Sequence, residues 1–158
     1  MKTKKSFFIL TTIALFAFSI SSYSQDPETH YIVLNVDTSI INSQNADDVS
    51  NFGQEQGISN RDYTIEARIG DIIVWQGLSS VSDSDDVSIV SINYEGGTNI
   101  FNQNRLRGND AYPERVIGTI VNGNVGESIK YKISFIVYNN GVKRQGTFHI
   151  DPKIILKK

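Results

Sequence analysis

Tyr63-Thr-Ile-Glu-Ala-Arg-Ile69, then Gly70-Asp71, then Ile72-Ile-Val-Trp-Gln76, then a serine and aspartate loop, then Val87-Ser-Ile-Val-Ser-Ile92: these runs follow one another in the middle of the chain. In the first, Tyr63, Ile65, Ala67 and Ile69 share one face, and Thr64, Glu66 and Arg68 share the other. That period of two predicts a half-buried strand. Gly70-Asp71 predicts a turn, because glycine tolerates positive φ and aspartate bonds its own backbone. The run to Gln76 carries the only tryptophan, Trp75, and is apolar on both faces before it. Such a run suits a central strand and puts Trp75 in the core rather than on a binding platform.

Outward from this stretch the same pattern recurs. Tyr31 to Asp37 reads as the first strand, with Ile32, Leu34 and Val36 on one face. Thr38 to Asn60 is a long polar connection, of the kind that is often functional; within it Asn45 to Phe52 offers a short helical turn. Thr98 to Asn102 reads as a short strand and Gln103 to Glu114 as loop. Arg115 to Val121 is strand-like, and Asn122-Gly-Asn124 is a turn. Ile129 to Tyr138 is the clearest strand, with Ile129, Tyr131, Ile133, Phe135 and Val137 alternating against Lys130, Lys132 and Ser134. Asn139-Asn-Gly141 carries the asparagine-glycine signal of a type I′ hairpin. The return strand runs from Lys143 to Ile150, Asp151-Pro152 breaks it, and Ile154 to Leu156 adds a last edge segment. Roughly six to eight short strands with polar turns predict an all-β fold, an antiparallel β-sandwich of jelly-roll or immunoglobulin-like type.

The N-terminus reads as something else. Lys2, Lys4 and Lys5 precede the apolar run Phe7 to Ile20, and serines follow. This is the layout of a signal peptide over residues 1–24, with cleavage near Ser24-Gln25. No cysteine follows the run, so a lipid anchor is not expected. Residues 25–158 then form one β-sandwich domain in the periplasm or outside the cell. Loss of the three lysines takes the formal net charge from −2 to −5. A mildly acidic chain of this kind lacks the electrostatic footprint for nucleic acid or, after cleavage, for an anionic membrane.

The chain has no cysteine, its one methionine is Met1, and its histidines are His30 and His149. Disulfide scaffolds, thiol nucleophiles, Cys/His zinc sites and blue-copper sites are therefore excluded. No Gly-x-Ser-x-Gly elbow is present. His149 follows Phe148 and reads as a surface or half-buried strand histidine. Ser82-Asp-Ser-Asp-Asp86 is the constellation with metal-ligand character: Asp83, Asp85 and Asp86 offer clustered carboxylates to Ca2+, without the glycine and glutamate of an EF-hand. Asp47 and Asp48 join them only if the long loop folds over. The competing reading is a solvated turn that keeps an edge charged. Arg105, Arg107 and Tyr112 supply a fork of donors and an aromatic face, the types used to recognise a sugar or protein ligand; the competing reading is a free surface loop.

Three segments together resemble the bacterial inclusion body protein family named for PixA and AidA. They are Ile32-Val-Leu-Asn-Val-Asp-Thr38, Gly70-Asp-Ile-Ile-Val-Trp75 with the loop behind it, and Gly146-Thr-Phe-His-Ile-Asp-Pro-Lys-Ile154. The resemblance implies a compact β-sandwich without established enzymatic activity, associated with intracellular inclusions or density-regulated expression. It implies structural matches at Asp37, Trp75, Asp151 and Pro152. The chain departs from the family in its export signal and in His149-Ile150, where an aromatic, commonly tryptophan, precedes Asp-Pro. The expectation is an exported, non-enzymatic protein that acts by ligand binding or self-association. A second copy of the chain, a glycan or a protein is the expected partner. A lectin-like glycan-binding module, assisted by calcium, is the alternative, and a carboxylate-dependent hydrolase comes third.

Overall fold

The structure, a computed structural model, describes residues 26–108, 111–112 and 114–158. The expected signal segment and its cleavage point lie outside these residues, as do Asn109, Asp110 and Pro113. The elements are β1 (Thr29–Val36), β2 (Ser50–Asn51), β3 (Thr64–Ala67), β4 (Ile72–Ser79), β5 (Asp86–Gly97), β6 (Arg105–Arg107), β7 (Arg115–Thr119), β8 (Ser128–Asn139), β9 (Val142–Lys143), β10 (Phe148–Ile150) and β11 (Lys153–Leu156). One sheet has the order β2-β1-β4-β7; the other has the order β3-β11-β8-β5-β6, with β9 and β10 also paired to β8.

The all-β class matches the sequence reading, with two corrections. Eleven strands are present among the described residues, because β2, β6 and β9 are only two or three residues long and leave no periodic signal. The sheets are mixed rather than purely antiparallel: β1 runs parallel to β4, and β3 runs parallel to β11. The chain leaves β1, enters the other sheet as β3 and comes back as β4. Such a crossover lays two strands side by side in the same direction, which a hairpin cannot do.

Alternation builds the core between the sheets. Ile32, Leu34 and Val36 of β1 and Ile73 and Trp75 of β4 face Val87, Ile89 and Ile92 of β5 and Ile129, Tyr131, Ile133, Phe135 and Val137 of β8, all in one buried cluster. Trp75 is fully buried. Its ring meets Tyr131 of the opposite sheet edge-on at 5.6 Å and Phe101 at 5.5 Å. Asn140 and Gly141 both have positive φ, 51° and 74°, as the type I′ turn between β8 and β9 requires.

Other local expectations change. The return strand is broken into β9 and β10 at Gln145 and Gly146, where Gly146 has a positive φ of 100°, while the Arg144 side chain reaches the carbonyls of Thr38 and Ser39. Ile154 to Leu156 is no edge; β11 lies between β3 and β8. Thr98 to Asn102 is not a strand, although Ile100 and Phe101 are buried. The supposed loop after it contains β6. Asn45 to Phe52 holds a turn and β2 but no helix. Ile69 is exposed, because β3 stops at Ala67. Among the described residues no helix is long and apolar enough to cross a membrane.

Candidate ligand cleft on the outer sheet face

The outer face of the seven-stranded sheet is polar along a continuous band. Strand register sets His149 of β10 against Ser134 of β8, Ser134 against Ser91 of β5, and Ser91 against Arg107 of β6. The neighbouring row sets Lys132 against Asn93 and Asn93 against Arg105. A β-bulge makes this possible. The register shifts between Ile89 and Ser91, so Val90 is an extra residue in the ladder. Uninterrupted alternation after Val87 and Ile89 would turn Ser91 and Asn93 toward the core. The bulge reverses that, sending Ile92 inward and Ser91 and Asn93 outward, a re-aiming bulges commonly perform.

Hydrogen bonds join the band. Asn93 Nδ2 donates to Ser134 Oγ (3.1 Å) and Ser91 Oγ (3.0 Å), and Asn93 Oδ1 accepts from Arg105 Nε at 2.6 Å. Ser134 Oγ lies 3.1 Å from His149 Nδ1. Lys132 pairs with Glu95 at 2.6 Å. Over these residues lies a half-open cleft of about 490 Å³, bordered also by Tyr94 and Asn104. A smaller recess of about 180 Å³ between the long loop and β10 shares His149 with it. The cleft offers a guanidinium, an ammonium, amides, an imidazole and an aromatic ring to a polar ligand. Among the described residues no carboxylate bonds His149 as the orienting acid of a triad would.

Of the expected ligand residues, Arg105 lines this cleft. Arg107 lies two residues along β6, exposed like Arg105, with the buried Leu106 between them. Tyr112 is elsewhere, its ring under the Arg115 guanidinium at 4.6 Å; Arg115 also pairs with Glu114. Ser91 and Asn93 are participants that sequence reasoning missed, and the bulge is the reason; Ser134 stands on the outward face that alternation gives it, but nothing local showed which residues it would meet.

The three aspartates of the acidic loop do not act alike. Asp83 and Asp86 are exposed, whereas Asp85 is buried. Its carboxylate accepts from the Thr38 hydroxyl, from Asn139 Nδ2 at 2.7 Å and from the Asn140 amide at 2.7 Å. It fastens the end of β1 and the β8–β9 hairpin to the β4–β5 loop. The Thr38 and Asn140 hydrogen bonds hold its carboxyl below the usual carboxylate range against the opposing effect of burial, with further help from Asn139 and Arg144. Asp47 borders the smaller recess beside His149.

Among the described residues, one group of three metal-ligating side chains converges, and it is a different one: Glu28, His30 and Asp71, whose ligand atoms all lie within 4.8 Å of one another. The sequence reading starts the first strand at Tyr31, one residue after His30, and places Asp71 in a turn. In the structure His30 belongs to β1 and Asp71 is buried at the foot of β4. Only the parallel pairing of β1 with β4 brings them together.

No protein-family model and no curated protein matches the chain. Among solved structures, the chain is similar to the inclusion body protein PixA from Burkholderia cenocepacia J2315, with a TM-score of 0.58, 15% identity, and coverage of 85% of this chain and 98% of that one. It is also matched to the N-terminal domain of phage TP901-1 ORF48, with a TM-score of 0.36, 13% identity, and coverage of 83% and 99%. The PixA likeness is one of fold, and it agrees with the resemblance carried by the three sequence segments.

Proposed function

We propose that this chain is an exported, non-enzymatic binding protein of PixA-like fold whose ligand lies in the cleft over Asn93, Arg105, Ser134 and His149. The observation that carries this reading is the band of bonded polar side chains on the outer face of a rigid sheet. A solvated strand face needs no such network. One spanning β10, β8, β5 and β6 holds its donors and acceptors in fixed positions, which lowers the ordering cost of binding. The mixture of guanidinium, amide, imidazole and aromatic ring suits a polyhydroxylated ligand, so a glycan is the preferred class. Polar pairing with a sugar hydroxyl gives specificity because a mismatched ligand leaves buried groups unpaired.

The test is a glycan array with the wild-type protein, followed by titration of any retained sugar against Asn93→Ala. Asn93 links Arg105 to Ser134, so its loss should weaken binding by about tenfold, equivalent to 1.4 kcal/mol. A blank array, or a retained glycan bound equally well by Asn93→Ala, would remove the cleft from consideration. Export is tested separately, by N-terminal sequencing of protein recovered outside the cytoplasm, which should begin at Gln25.

A further inference from the structure

We propose that Glu28, His30 and Asp71 form a binding site for a divalent transition-metal ion of the zinc class, at the end of the sandwich where β1 and β4 begin. The site is separate from the cleft. Glu28 and His30 are two residues apart on one side of the chain entering β1, and Asp71 stands just before Ile72, where β4 starts. One imidazole nitrogen and two carboxylates converge with every pair of ligand atoms within 4.8 Å. One imidazole and two carboxylates are borderline ligands of the kind that Zn2+ accepts.

The charge balance points the same way. Two carboxylates lie this close with a single histidine for company. Asp71 is buried, its side chain 3% exposed, and its ionised form is held by His30 Nε2 at 2.8 Å and the Arg68 amide at 2.8 Å on Oδ2, and by the Glu28 amide at 2.9 Å on Oδ1. The Glu28 carboxylate has no hydrogen bond or ion pair among the described residues, although its amide and its carbonyl are both engaged. Two carboxylates this close repel one another, and a cation between them relieves that repulsion.

The existing hydrogen bonds fit an ion as well. The two backbone amides orient the Asp71 carboxylate, as outer partners orient metal-ligating carboxylates. An ion would take the place of the proton between His30 Nε2 and Asp71 Oδ2. A singly protonated ring moves that proton to Nδ1 by exchange with solvent, with no net release, and a doubly protonated ring gives its Nε2 proton to solvent; no other bond is made or broken beyond those to the metal. Ligand atoms at 2.0–2.1 Å from a tetrahedral ion stand roughly 3.3 Å apart. The pair now separated by 2.8 Å must therefore open by about half an ångström, within reach of the partly exposed His30 ring. Glu28 supplies the third ligand and water the fourth, the arrangement of an open site.

The experiment is a calorimetric titration of the full chain with ZnCl2, in two buffers of different ionisation enthalpy. Wild type should bind one ion through this site and release up to one proton. Glu28→Gln changes an exposed side chain and leaves the fold intact; it should weaken zinc binding at least about tenfold, the loss typical even of an outer partner. His30→Ala should weaken it further, and its fold is checked by circular dichroism. His149→Ala should bind as wild type does. No zinc binding by the wild-type chain, or an affinity unchanged in Glu28→Gln, would overturn the site. Imidazole nitrogen NMR gives a second readout: zinc should shift the His30 Nε2 resonance and leave His149 alone. A His30 resonance that stays that of a protonated ring in saturating zinc would show that a proton, not a metal, balances the two carboxylates.

Discussion

Asp85 carries its role in its hydrogen bonds rather than in its neighbours along the chain. Flanked by Ser84 and Asp86, it reads as one of three equivalent acids, yet it alone turns inward to Thr38, Asn139 and Asn140. Nothing local marks it, because two of its partners are 54 and 55 residues away. Its folded-state pKa is depressed, led by the Thr38 hydrogen bond. The sign of the linkage follows. The stabilisation is fully present above the unfolded value of about 3.9 and disappears as pH falls through the lower folded value. Asp85→Asn should therefore melt below wild type at pH 7, and the gap should narrow as the pH is lowered from about 5 toward 2. Thermal melts of both proteins across that range measure it. A gap of constant size would assign the loss to amide geometry rather than to charge.

Among the elements, those declared by alternation were legible and those shaped by a neighbouring sheet were not. Ile129 to Tyr138 became β8 with its expected inward face, and the asparagine-glycine signal marked the β8–β9 hairpin. The bulge at Val90 left no trace in the pattern, because it answers to a partner strand far along the chain. The crossing of β4 and β5 is another such case. Gly77 lies inside β4, where glycine ordinarily weakens a strand. A Cβ at Gly77 would stand 2.3 Å from the carbonyl oxygen of Val87 and 2.6 Å from its Cγ1. Glycine is thus what lets the two sheets close on one another at this point. Backbone cannot yield as a flexible side chain does, so Gly77→Ala should cost about 1–3 kcal/mol, the usual penalty for overpacking. Urea denaturation with an unchanged slope and a lower midpoint would show it; an unchanged midpoint would mean that the crossing can spread without loss.

At the scale of the molecule, the C-terminal strand matters out of proportion to its length. A sequence reading makes Ile154 to Leu156 a terminal edge segment, since a short apolar run after Asp-Pro ordinarily finishes a sheet. The topology instead inserts β11 between β8 and β3, antiparallel to the first and parallel to the second. Parallel pairing of residues 64–67 with 153–156 was beyond reach of local pattern. The same was true of β1 with β4, on which the convergence of His30 and Asp71 depends. Removing residues 153–158 would strip Ile154 and Leu156 from the core, both nearly fully buried. It would also leave β3 without a partner in its sheet. Burial of each side chain contributes about 1.5–3 kcal/mol, and the lost ladder adds to that. Against a whole-domain stability of roughly 5–15 kcal/mol, the two side chains and the lost ladder together remove most of the margin. The truncated chain should show no cooperative thermal transition and no near-ultraviolet circular dichroism from Trp75, whose environment is made by the closed sandwich. A truncated protein that still melts cooperatively, with Trp75 as buried as before, would mean that β8 alone closes this side of the core and that β3 and β11 are late additions to a smaller folding unit.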